Sequence, residues 1–245
     1  MVYTTLETER LILRPISEED DIFILNHFSD QQVTRYLYDY EPVKNMDEAN
    51  EILAFYIDED PYIQCRWVIT NKVTNEKMGT CGFHKRDIKK GTIEVGYDLN
   101  SKYWGQGYMS EALKELFHYA WKNLCVTSIC AEIAVDNIDS IRLVSKLGFK
   151  YRDSYHIKFR DQELMHNKYE LPLVSIEDEP IYICYCAKIT HQEVRDMVEK
   201  GLSSITEIRE ALGKNSMGMC QEKNPKGICC HEEFDAFIQQ VYLEE

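Results

Sequence analysis

The chain has 245 residues, enough for one well-packed core and a small appended module. Its formal net charge of −14 argues against a general nucleic-acid binder, which needs a basic face, and suits either a cationic acceptor such as an amine or simply solubility. No apolar run approaches the ~20 residues of a membrane span, and "MVYTTLETERLILRP" lacks a signal-peptide core, so no membrane role and a cytoplasmic location are expected.

In chain order, "RLILRP" alternates like a strand, and "SEEDDIFILNHF" follows with Ser17 and Asp20 spaced as a capping box. "DEANEILAFYI" reads as a second helix. "CRWVIT" and "KMGTCGFHK" read as strands around the turn "NKVTNE", and "GTIEVGYDL" as another strand. A helix then begins after Gly107, with Ala112, Leu113, Leu116, Phe117, Ala120, Trp121 and Leu124 on one face. "SICAEIAV" reads as a buried strand, "DSIRLVSKLGF" as a short helix, and "YRDSYHIKF" with "ELMHNKYEL" as a closing strand pair. The pattern predicts a mixed α/β domain around a central sheet. Pro172 and Pro180 flank an acidic stretch, which places a boundary around Val174 to Pro180.

The nine cysteines are unevenly spread. Cys65, Cys81, Cys125 and Cys130 lie in apolar contexts and read as small buried hydrophobes. Cys184, Cys186, Cys220, Cys229 and Cys230 crowd the last quarter. In a reducing cytosol such a cluster reads as metal or redox ligands rather than disulfides. Thr190 with Glu193 and Ser204 with Glu207 predict two helix starts, with stops at Gly201 and Gly213, and a third helix runs from His231 to Tyr242. The tail is therefore a small all-α module with its thiols in loops, and a metal centre would help it fold.

A strand, a loop carrying Gly105 and Gly107, and a helix make an anion site. The first helical N–H groups have no intrahelical acceptor, and bare glycines let a phosphate approach. The spacing is not that of a dinucleotide-binding fold. "IEVGYDLNSKYWGQGYMSEAL" and "AVDNIDSIRLVSKLGFKYRDS", preceded by "LETERLILRPISEEDD", resemble the GNAT family of acetyl-CoA-dependent acetyltransferases, in its ribosomal-protein N-terminal (Rim-type) branch. The resemblance implies an acetyl-CoA N-acyltransferase fold over residues 1–174. It implies a pyrophosphate cradle from Trp104, Gly105, Gln106, Gly107, Tyr108, Met109 and Ser110, although the family's usual Arg or Gln at the loop start is Trp104 here. Asn137 and Ser140 match the positions at the pantetheine arm and thiol end. Gly148, in "KLGF", serves a tight turn.

Acetyl transfer to an amine needs proton removal from the amine, a donor for the oxyanion and a proton for the thiolate. The resemblance places the oxyanion donor on the backbone near Val95 or Gly96, with Glu94 as a base acting directly or through water; a solvent-facing strand carboxylate is the other reading of Glu94. The family's thiolate-protonating Tyr falls on Val144, so Ser140 takes that role, and Tyr97 and Tyr103 read as packing or acceptor-pocket residues.

"CYCAKITHQEVRDMVEKGLSSITEIREALGKNSMGMC" resembles the 2Fe-2S domain of bacterioferritin-associated ferredoxin. This implies a cluster in residues 181–245 on Cys184, Cys186 and Cys220, with Cys229 preferred over Cys230 as the fourth ligand. Zinc is the rival metal, but Cys-x-Cys spacing favours iron and sulfur. The expected protein is an N-acetyltransferase for a protein N-terminus or small-molecule amine, with an iron–sulfur module. A non-catalytic acetyl-CoA-binding protein and a redox-sensing or electron-transfer protein are the alternatives.

Overall fold

Alternating burial builds the sheet. In the strand Cys65–Asn71, Trp67 and Ile69 turn to one face and Val68 to the other, and all three are fully buried. The computed structural model describes residues 4–37, 41–57, 64–87, 90–124, 126–159, 162–173, 182–214 and 229–243. It contains two units, one built from residues 1–87 and 91–174 and the other from 88–90 and 175–245. The predicted boundary around Val174 to Pro180, and Cys125, lie outside the described residues.

The first unit holds an eight-stranded sheet. Its strands are β1 (Leu6–Glu7), β2 (Leu11–Pro15), β3 (Cys65–Asn71), β4 (Lys77–Asp87), β5 (Thr92–Leu99), β6 (Ser128–Ala134), β7 (Lys150–Phe159) and β8 (Gln162–Pro172). The order is β1-β2-β3-β4-β5-β6-β8-β7, and β5 with β6 is the parallel pair. Helix α1 (Asp21–Phe28) follows the predicted Ser17–Asp20 capping box, α2 (Gln31–Thr34) is a single turn, and α3 (Met46–Ile57) matches the second predicted helix. Helices α1 and α3 pack Ile24, Phe28, Ile52, Leu53 and Tyr56 against Val68. On the other face, α4 (Tyr108–Asn123) buries Ala112, Leu113, Leu116, Phe117 and Ala120 against Trp67, Ile93 and Ile129. Tyr119 takes the buried place expected of Trp121, which is half-buried. Helix α5 (Ile138–Lys146) ends at Gly148, whose φ of +96° makes the predicted turn.

In the second unit, α6 (His191–Val198), α7 (Ile205–Ala211) and α8 (His231–Leu243) form the predicted helices, both predicted capping boxes are present, and Gly201 and Gly213 have positive φ. A two-stranded hairpin, β9 (Tyr182–Cys184) with β10 (Ile189–Thr190), precedes them, so this unit is not purely helical. Its strands are too short for alternation to reveal. Ile183, Val194, Ile208, Phe234, Phe237 and Ile238 give the unit its own core.

A buried polar group ties α1 to the sheet. His27 Nε2 lies 2.6 Å from Asp98 Oδ1, Thr80 donates to Asp98 through both its amide and its hydroxyl, and Arg66 pairs with the same carboxylate. Burial alone would raise the Asp98 carboxyl. The Arg66 charge, with the His27 and Thr80 hydrogen bonds, overcomes it and holds the group at about 2. The resulting stability is complete above the ordinary value of 3.8 and is lost as the pH falls through about 2. Removing one partner leaves the other charge buried, so Asp98→Asn should cost ~3 kcal/mol. Urea unfolding followed by the fluorescence of Trp67, Trp104 and Trp121, all in the first unit, measures this loss.

Candidate functional site

The site begins where two strands part. Strand β5 pairs with β4 from Thr92 to Leu99, but with β6 only at Thr92, Ile93 and Glu94, opposite Ser128, Ile129 and Cys130. Beyond Glu94 the parallel ladder stops, while both strands continue, to Leu99 and to Ala134. The β6-side edge of Val95–Leu99 is therefore open, and the wedge has backbone donors and acceptors along it. Val95 and Gly96, the predicted oxyanion positions, lie at its apex.

The chain leaves β5 into the glycine loop. Asn100 caps a short turn through Lys102 N at 3.1 Å. The Trp104 indole donates to Leu99 O at 2.6 Å and the Gln106 amide to Lys102 O at 2.9 Å. These side chains hold the loop itself, which explains a Trp where a phosphate-contacting side chain was expected. Gly105 and Gly107 have φ of +72° and +81°, a region that side chains strain, and a Cβ at Gly105 would meet no atom within 4 Å. The first helical bond runs from Glu111 N to Gly107 O, so the amides of Tyr108, Met109 and Ser110 have no intrahelical acceptor. Met109 is buried in the core, so it contributes through its backbone.

Arg10 was not singled out by the sequence. Its backbone N–H and its Nε donate to Glu111 at 2.8 and 2.6 Å, its Nη1 donates to Gln106 O at 3.2 Å, and its guanidinium stacks 4.3 Å from the Tyr108 ring centroid. Arg10 thus braces the loop and neutralises a carboxylate that would repel a phosphate. Beside it opens a cleft of about 710 Å³ whose lining mixes Lys114, His118 and Lys146 with Glu9, Glu111 and Glu115. The helix N-terminus, rather than the mixed charges of the cleft, is what suits the phosphates of a nucleotide cofactor.

At the start of α5, the Asn137 side-chain Oδ1 accepts from Ser140 N at 3.2 Å and caps the helix. Val144 is fully buried in the core and offers no proton. Burial pushes the Tyr97 phenol up to about 12; the Ser140 side chain beside it offsets part of that rise, although the hydroxyl closes no full hydrogen bond among the described residues. Tyr103 packs partly buried against the core.

Glu94 is not a free carboxylate. His84 Nε2 lies 2.9 Å from its Oε1, and Lys85 Nζ lies 3.3 and 3.2 Å from its two oxygens. Burial would raise its carboxyl, but the His84 hydrogen bond and the charges of His84 and Lys85 hold it below the usual range. A carboxylate so stabilised is a weaker base than the sequence reading supposed.

In the second unit, Cys184 Sγ and Cys186 Sγ are 3.5 Å apart, and Arg209 Nη2 donates to Cys184 Sγ at 3.1 Å. A hydrogen bond with Cys230 pulls the Cys184 thiol well down, burial opposes it, and Arg209 adds to the lowering. Cys230 is buried and Cys229 exposed. Cys230 is the one of the two that hydrogen-bonds with Cys184. Cys220 lies outside the described residues. Among the described residues no three His, Cys, Asp or Glu side chains close on one metal ion. The all-sulfur donor set and the low Cys184 thiol fit a thiolate-held cluster.

A splayed mixed sheet with a glycine loop at a helix start defines an acyl-CoA-using transferase fold. Residues 10–150 match the acetyltransferase (GNAT) domain family, and residues 182–240 match the BFD-like 2Fe-2S binding domain family. The chain belongs to the GNAT acetyltransferase family. It is 36% identical over 147 residues to an uncharacterized N-acetyltransferase, p20, of Bacillus licheniformis, covering 60% of this chain and 82% of that protein. The fold resembles a GNAT-family acetyltransferase from Bacillus anthracis (TM-score 0.61, 22% identity, 69% of this chain and 98% of that one). It also resembles the spermidine N-acetyltransferase of Vibrio cholerae in complex with CoA and spermine (TM-score 0.58, 18% identity, 66% and 95%). No helix among the described residues is long and apolar enough to cross a membrane.

Replacing Gly107 by Val places a β-branched residue at φ +81° and a side chain beside the loop amides. CoA affinity measured by calorimetry should fall at least ~10-fold in the folded variant, through a backbone strain of ~1–3 kcal/mol and the lost approach. Unchanged affinity would remove the cofactor from this loop.

Proposed function

We propose that the chain transfers the acetyl group of acetyl-CoA to a primary amine of a protein N-terminus or small molecule, as a Rim-type acetyltransferase over residues 1–174, and that residues 181–245 carry a 2Fe-2S cluster. The observation that carries the first part is the β5–β6 wedge opening at Val95 and Gly96, next to a loop whose glycines have positive φ and whose first helix amides lack an intrahelical acceptor. The pyrophosphate lies on the backbone of Trp104–Ser110, and the pantetheine arm runs past Asn137 to Ser140. The thioester oxygen accepts from a backbone N–H at Val95 or Gly96, the amine loses its proton on the Glu94 face of the sheet, and Ser140 delivers a proton to the departing thiolate. The "LETERLILRP" opening supports the Rim-type branch, and the −14 charge suits a cationic acceptor. Cytoplasmic residence accords with the absence of a disulfide among the described cysteines.

The cluster ligands are Cys184, Cys186, Cys220 and Cys230. Bound there, a 2Fe-2S cluster supplies one-electron redox chemistry. Cys184 ends β9 at the hairpin turn and Cys230 immediately precedes α8, so the ligands staple the unit's elements together.

Two measurements test the proposal. Thiol release from acetyl-CoA should require an added amine, in a panel containing spermidine and free-N-terminus peptides. Binding without turnover for any amine would promote the non-catalytic reading. Protein prepared anaerobically with iron should be brown, and Cys184→Ser, Cys186→Ser, Cys220→Ser and Cys230→Ser should bleach it while Cys229→Ser stays coloured. Colourless, zinc-replete protein from the same preparation would replace the cluster by zinc.

A further inference from the structure

Strand β4 changes its register beside β5 between His84 and Asp87, and Lys85 has a left-handed φ of +50°. A bulge of this kind re-aims side chains, and a non-glycine residue in that region stores strain. Its effect is visible: His84 and Lys85, consecutive along the strand, both reach the Glu94 carboxylate. Lys85 also reaches Glu132 of β6, at 3.3 Å. His84 lies opposite Glu94 in the β4–β5 register, and Gly82 lies opposite Gly96.

The imidazole lies across Gly96. A Cβ on Gly96 would stand 3.1 Å from His84 Cε1 and 3.4 Å from its Nδ1, and 2.9 Å from Arg66 Nη1, so a glycine is what admits the ring. Nε2 of His84 is committed to Glu94, while Nδ1 has no hydrogen-bond partner among the described residues. Exposure separates the two groups: the Glu94 side chain is 9% exposed and that of His84 is 28% exposed. An incoming amine meets the imidazole before the carboxylate.

We propose that His84 is the catalytic base and Glu94 its positioning residue; this rests on the acetyltransferase reading above. Glu94 accepts from Nε2–H and fixes the tautomer in which Nδ1 carries the lone pair, the logic of a carboxylate-oriented imidazole. Nδ1 takes one proton from the acceptor ammonium and later returns it to solvent. The neutral amine forms the C–N bond to the thioester carbon, and the carbonyl becomes an oxyanion against the Val95–Gly96 backbone. Collapse breaks the C–S bond and expels the CoA thiolate, while the second proton of the attacking nitrogen ends on that sulfur. The products are the acetyl amide, CoA thiol and one proton. The charged groups facing the ring are Lys85 from its own strand, Glu94 from β5, Arg66 from β3 and, through Lys85, Glu132 from β6.

Nitrogen-15 NMR of the histidine rings in the full chain reads the tautomer without any acceptor. The proposal requires a proton on Nε2 and a lone pair on Nδ1 of the neutral ring; the opposite tautomer overturns it. Steady-state transfer to spermidine and to a tetrapeptide with a free N-terminus gives the second readout. His84→Ala should lower kcat ~10²-fold, leave the KM for acetyl-CoA unchanged, abolish the acidic limb of the kcat/KM–pH profile, and regain activity with added imidazole. His84→Gln, whose amide still donates to Glu94, keeps the fold if the alanine variant loses it, and should be as slow. Glu94→Gln should be slowed less and keep a shifted acidic limb. Full activity in a folded His84→Gln protein overturns the assignment of His84 alone. A wild-type chain that binds CoA but acetylates neither amine overturns the acetyltransferase reading itself.

Discussion

Everything at the candidate active site depends on where β5 and β6 stop pairing. Three register pairs hold the two parallel strands together, and the ladder ends at Glu94 opposite Cys130. A sheet buries its backbone polar groups in ladders, so an interrupted ladder inside a sheet needs another partner for those groups. The β4 side of β5 stays paired from Glu94 to Leu99, which keeps the open edge rigid while leaving it unsatisfied. On the proposed reading, a thioester and its extended arm, a chain with amides and a carbonyl, supply what is missing. The glycine loop and α4 follow directly from the end of β5, so the loop and the open edge have a fixed spacing.

The two faces of the sheet divide the labour. Trp67, Ile93 and Ile129 on one face form an apolar floor for α4. The other face carries charge: Asp98 with Arg66, Thr80 and His27 beneath α1, then Glu94 with His84 and Lys85 at the wedge. Buried ionic groups of this sort contribute less to net stability than to fixing one arrangement. Here the arrangement sets an imidazole over Gly96 and beside the open strand edge. The cysteine-bearing unit follows a different rule. Its own apolar core is modest, and Cys184 is held by hydrogen bonds from Arg209 and with Cys230.

Local chemistry was legible in the sequence, and long-range chemistry was not. Ser17 with Asp20, Thr190 with Glu193 and Ser204 with Glu207 are spaced within one helical turn, so their capping roles could be read directly and are present. Gly105 and Gly107 were legible for the same reason, since a helix start needs few residues to define it. The brace from Arg10 to Glu111 spans 101 positions and nothing in either segment announces it. The pairing of His84 and Lys85 with Glu94 depends on a bulge, and a bulge breaks the alternation from which strand faces are read. Cys229 and Cys230 are adjacent, so spacing could not separate them; the packing of α8 decides which thiol turns inward.

Hydrogen exchange of backbone amides tests the central claim, that the open edge between β5 and β6 receives the acyl-CoA. Saturating acetyl-CoA should slow exchange at residues 95–99 and 131–134, and at residues 104–110 of the glycine loop, while residues 65–71 of the inner strand β3 stay as they were. Protection of the loop alone, with the wedge amides exchanging at their unliganded rates, would contradict the account.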